Sequence, residues 1–191
     1  MKKPFLIISM IFLSLSLHAQ DKSEILPMME KIIENSVNKD FTVVLDYTYP
    51  KVFEFASKEQ MVELMTSMLD NEDFSIDILP TNYDIQVSDI KNIDGGKYAM
   101  IEYNNLMRLK FKDEESLNTE ESLNLLKVAF SNANVSYNEE TKTFDIMIRS
   151  QNLAISDEST AGTWRFLNAN KQDGQMLRLL LNEQILNAFN L

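Results

Sequence analysis

From residue 22 onward, apolar positions recur at helical spacing. Ile25, Met28, Met29, Ile32, Ile33, Ser36 and Val37 stand at i, i+3, i+4, i+7, i+8, i+11 and i+12, which makes one stripe on a helix over 22–38. Lys22, Glu30, Lys31, Glu34 and Lys39 fall elsewhere on the wheel, and Pro27 lies early, where its missing N–H costs little. Asp40 is placed to cap a short helix through Phe41, Val44 and Leu45. Tyr49-Pro50 breaks the chain, because the residue before a proline is pushed out of the α region. A short apolar turn (Val52, Phe53, Phe55) follows, and then Ser57 with Gln60 forms a capping box. That box opens a second clear helix on Met61, Leu64, Met65, Met68 and Leu69.

The period then changes to two, the mark of strands with one buried face. Phe74, Ile76 and Ile78 alternate with polar residues, as do Tyr83, Ile85 and Val87. Asp94-Gly95-Gly96 reads as a tight turn whose glycines tolerate positive φ. Beyond it, Ala99, Ile101, Tyr103, Asn105, Met107, Leu109 and Phe111 share one parity, which predicts a strand of about 14 residues against a usual ~5–6. A strand that long bends or carries a bulge. Residues 113–134 interrupt the pattern, with Leu117, Leu123, Leu126 and Phe130 at helix-compatible positions. Strands resume at Val135–Tyr137, then at Phe144, Ile146, Ile148, Ser150 and Asn152 on one face, then at Gly162-Thr163-Trp164-Arg165-Phe166. Leu177, Leu180, Leu181, Ile185 and Leu186 predict a C-terminal helix over 172–190. The chain has no internal repeat and no Gly/Pro/Ser-rich linker, so 20–191 reads as one domain.

The first residues read differently. Lys2 and Lys3 precede an uncharged stretch with an apolar centre from Phe5 to Leu17, and a small residue, Ala19, stands before Gln20. This is the three-part pattern of a secretory signal peptide over 1–19, cleaved between Ala19 and Gln20. The apolar run is about 13 residues, short of the ~20 a spanning helix needs. The expectation is an exported protein, periplasmic or secreted, with no membrane association once the leader is gone.

Composition narrows the chemistry. The 191 residues carry 18 Lys+Arg and 29 Asp+Glu, one His and no Cys. Lys2 and Lys3 leave with the leader and no acid does, which takes the net charge from −11 to −13. So acidic a chain offers no broad phosphate-binding surface, which argues against a nucleic-acid partner. His18, the single histidine, also lies in the leader. Without His or Cys there is no Ser-His-Asp or Cys-His unit and no imidazole or thiolate metal site. The acidic clusters Asp70-Asn71-Glu72-Asp73 and Asp113-Glu114-Glu115 lack the spacing of a calcium loop. No metal and no cofactor are expected.

Helices followed by a bent antiparallel sheet define an α+β arrangement. The order resembles the cystatin-like α+β roll of the SnoaL-like and nuclear transport factor 2-like superfamily. The residues behind the likeness are the first amphipathic helix, Asn38-Lys39-Asp40-Phe41 leading to Tyr47-Thr48-Tyr49-Pro50-Lys51, the turn Asp94-Gly95-Gly96, and the late Gly162–Phe166 strand. The match spans about residues 24–112 and 143–168; 113–134 departs from the family pattern and reads as an insertion. The resemblance implies N-terminal helices in the concave face of a cone-shaped sheet, a cavity open at one end, and a homodimer through the open sheet.

Polar residues with the cavity-facing parity are Tyr103, Asn105, Ser150 and Asn152. A few convergent polar groups among apolar walls are how pockets orient a ligand. The plainer account is that the strands run past the core there. Trp164, the single Trp, can stack on a ligand, although a core ring is its ordinary role. Met61, Met65 and Met68 suit either an adaptable binding face or an irregular core. The expected function is a non-catalytic binding or interaction module with a pocket in the cone, its partner an unidentified small molecule or protein. Two alternatives stand beside it. One is an isomerase or dehydratase pairing Tyr47 or Tyr103 with Asp40 or Asp46, as the resemblance permits. The other is an interaction or inhibitor domain acting through the outer sheet face.

Overall fold

The computed structural model describes residues 22–113, 119–130, 133–170 and 174–191. The expected leader 1–19 with its Ala19–Gln20 junction lies outside the described residues, as do Glu114, Glu115 and Leu117. The first helix, α1, covers 22–37. Its stripe is buried as the periodicity requires, with Ile25, Met29, Ile32 and Ile33 packed against Ala99, Ile101, Ala154, Trp164 and Phe166. Asp40 accepts from the Val43 N–H at 3.3 Å and starts α2 (Phe41–Asp46). A 3-10 helix (Pro50–Glu54) begins at the proline. The capping box at Ser57 and Gln60 opens α3 (Lys58–Leu69).

Seven antiparallel strands form one unclosed sheet among the described residues: β1 (Phe74–Leu79), β2 (Gln86–Val87), β3 (Lys91–Ile93), β4 (Gly96–Phe111), β5 (Asn134–Asn138), β6 (Thr143–Ser156) and β7 (Arg165–Asn168). The centre is the long pair β4–β6, in register from Lys97↔Ser156 to Leu109↔Phe144. Strands β3, β2 and β1 line the outer side of β4, and β5 and β7 share the outer side of β6. Asp94 (φ 49°) and Gly95 (φ 80°) are the two-residue loop of the β3–β4 hairpin, where both positions need positive φ. Gly96 has a separate reason: a Cβ there would lie 2.7 Å from the Tyr98 hydroxyl.

Six α-helices accompany the sheet among the described residues, the others being α4 (Thr119–Ala129), α5 (Gly174–Leu180) and α6 (Glu183–Phe189). The protein is therefore α+β, as the element pattern predicts. Three details depart from expectation. The strand from Tyr83 shortens to Gln86–Val87, because Asp84 takes a left-handed φ of 44°. The last strand starts at Arg165, since Gly162 is spent in the turn after a second 3-10 helix, Glu158–Thr160. The single C-terminal helix is two helices: the Asn182 side chain accepts from the Ile185 N–H at 3.0 Å and starts a new one.

Both faces of the sheet are used. On one face, near the start of β4, Tyr98 packs with Leu153, Ile155 and Leu167 under α5 and α6. Farther along, that face turns polar, with Gln151 donating to Glu102 at 2.7 Å and Arg108 held by both oxygens of Asp145 at 2.7 and 2.8 Å. The opposite face carries α1 at one end. At its other end Leu126 of α4 closes a core with Leu109, Val135, Phe144 and Ile146. The 113–134 segment thus contributes to one of the three cores.

Candidate functional site

Between those two cores, on the same sheet face, the packing stops. Tyr103 stands opposite Ser150, Asn105 opposite Ile148, and Ile101 opposite Asn152. Directly opposed residues share a face. The face covered by α1 and α4 therefore exposes Tyr103, Asn105, Ser150 and Asn152 in the interval between them. All four line one cavity of about 640 Å³. It also lies where the outer neighbour of β6 changes, since β5 pairs as far as Met147 and β7 begins at Asn152.

The walls are apolar and come from the helices. Ile32 of α1, Val44 of α2, Val52 and Phe55 around the 3-10 helix, and Met61, Leu64 and Met65 of α3 face it, and Met176 of α5 lies beside them. Helix α3 has no buried residue, and Leu64 is 57% exposed, so its apolar stripe roofs open space and packs into no core. Beside its packing on α2, α3 has an ion pair at each end. Lys58 pairs with Asp46 at 2.5 Å, and Lys112 pairs with Asp70 at 2.7 Å. The 47–49 segment is pinned to β7, with the Tyr49 N–H donating to the Phe166 carbonyl at 2.9 Å and the Phe166 N–H to the Tyr47 carbonyl at 2.8 Å.

Tyr103 stands beside Ser150 and Asn152 on this face; burial pushes its phenol pKa up, and these two side chains oppose the shift. Asn152 also reaches the Met29 sulfur at 3.9 Å, which ties the polar floor to α1. The lining holds no Asp, Glu, Lys or Arg among the described residues, in a chain that is 25% charged.

Trp164 is placed elsewhere. It is 3% exposed in the α1 core and does not line the cavity. Tyr47 lines it, but Asp40 caps α2 and Asp46 pairs with Lys58, so neither carboxylate joins Tyr47 or Tyr103 there. Asp70 sits in an ion pair, and hydrogen bonding to Lys112 lowers its pKa. No cluster of three metal-ligating side chains occurs among the described residues. Sequence reasoning missed Gln151, Asn168 and Asn170, which also border the cavity. Asn168 pairs with Asn152 across β6–β7, and this register is invisible until the last strand is placed.

Fold and site together define an α+β protein with an antiparallel sheet and, on one face between two cores, a cavity whose described lining residues are uncharged. Compared with known family models, curated proteins and solved structures, the chain matches none. Among the described residues, no helix is long and apolar enough to cross a membrane.

Proposed function

We propose that this chain is an exported, non-catalytic binding module that holds a small molecule against the β4–β6 face. The observation that carries the reading is the cavity of about 640 Å³, apolar in its walls with a floor of Tyr103, Asn105, Ser150 and Asn152. Its size falls within the ~300–1,000 Å³ of ligand pockets. The reading includes a cone-shaped roll of the SnoaL-like and nuclear transport factor 2-like type, with export by the 1–19 leader. Binding is favoured over an isomerase or dehydratase because Asp40 and Asp46 are engaged outside the cavity. A protein contact is a second reading, favoured by Leu125 and Val128 of α4, which are 65% and 79% exposed.

The test is titration with N-phenyl-1-naphthylamine, a neutral apolar fluorophore. Saturable binding of one equivalent is expected, weakened at least fivefold by Met65→Trp, which places an indole in the opening. The absence of saturable binding to the wild-type chain refutes the reading.

A further inference from the structure

The cavity's walls and floor bear on what it would hold. A charged head group would have to shed its water in a site with no opposite charge among the lining residues. Such a transfer is unfavourable even after relaxation. A purely apolar molecule would instead lie against Tyr103, Asn105, Ser150 and Asn152 without meeting them. The floor therefore favours an uncharged polar group, and the Met-lined walls favour an apolar body.

Strand register decides which floor group recognises it. Tyr103 faces Ser150 directly, and Asn152 is the next residue of β6 on that face. All three line the cavity and each carries a donor and an acceptor, so a bound carbonyl can accept from the Tyr103 hydroxyl there. We propose that the cavity selects an uncharged amphipathic molecule, such as a medium-chain ketone, ester or amide, whose carbonyl oxygen accepts from the Tyr103 hydroxyl. This rests on the binding reading above and adds the ligand class and the specificity-determining residue.

The experiment displaces the neutral fluorophore with 2-decanone or with decanoate at pH 8, for the wild type and Tyr103→Phe. The ketone should displace it at least tenfold better than decanoate, and acidification that protonates decanoate should narrow the gap. Tyr103→Phe should weaken the ketone about 2- to 12-fold relative to the fluorophore, the range of one neutral hydrogen bond. Should that variant fold poorly by circular dichroism, Ser150→Ala is the substitute, and a smaller loss in the same direction is expected. Equal or tighter binding of decanoate at pH 8 overturns the charge selection. An unchanged ketone affinity in the folded variants overturns the role of Tyr103. Fluorophore binding that no ketone displaces overturns the ligand class while the binding reading stands; no fluorophore binding at all removes that reading itself.

Discussion

Tyr49 is the joint on which the wall of the cavity hangs, and Tyr49→Phe isolates what its hydroxyl contributes. The ring is 1% exposed in the core beneath α5 and α6, and its hydroxyl donates to Asp157 Oδ2 at 2.9 Å. Phenylalanine keeps the ring, so no large cavity term enters. A hydrogen bond to a charged group contributes ~1.5–3 kcal/mol. Two observations place this one toward the lower end. Asp157 Oδ1 keeps the Ser159 hydroxyl at 2.6 Å and the Thr160 N–H at 3.2 Å, and the carboxylate is half-buried, so water can reach Oδ2. The expected loss is about 1–2 kcal/mol, which lowers Tm by roughly 2–4 °C per kcal/mol in a chain of this size. Urea denaturation followed by far-ultraviolet circular dichroism measures it. The same assay on Asp157→Asn and on the double variant isolates the pair, with an expected coupling of about 1 kcal/mol. A Tyr49→Phe chain within about 0.3 kcal/mol of wild type, or strictly additive losses, would refute the reasoning.

Two further predictions follow from the same structure. Tyr49 and Tyr98 both have pKa values raised from 10.0 to about 12, chiefly by burial. A folded-state value above the unfolded one means their stabilisation is complete below pH 10 and lost as pH rises toward 12. The urea midpoint should hold from pH 8 to 9.5 and fall steeply above it, less steeply in Tyr98→Phe; a flat profile through pH 11.5 contradicts this. Ser57→Ala removes the side chain that accepts the Gln60 N–H at 3.2 Å, at a cost of about 1 kcal/mol. Since no α3 residue is fully buried, hydrogen exchange should quicken mainly within Lys58–Leu69, and uniform acceleration across the sheet would count against local anchoring of α3.

Much of the architecture could be read from spacing. The stripe of α1, the Asp40 cap, the Ser57–Gln60 box and the long β4 strand all depend on residues within one or two turns of each other. Parity also placed Tyr103, Asn105, Ser150 and Asn152 on one face, because alternation along a strand is local. The C-terminal stripe was legible too, but the break at Asn182 was not. Asparagine caps a helix only when its side chain wins over the continuing backbone, and here Leu181 and Ile185, on either side of Asn182, are both buried in the core.

The sequence alone determined which residues alternate, where helices begin, and that residues 20–191 carry neither imidazole nor thiol. It could not determine what covers each face. Met61, Leu64 and Met65 have the same spacing as Met29, Ile32 and Ile33, yet the α1 residues are packed into a core and the α3 residues are exposed or half-buried. Periodicity reports that a helix has an apolar side; only the register of β4 with β6 and the placing of α1 and α4 at its two ends leave a gap for that side to roof. The uncharged lining has the same origin. Among the described residues the lining comes from eight separate stretches of chain, so its lack of charged side chains exists only once the sheet brings them together.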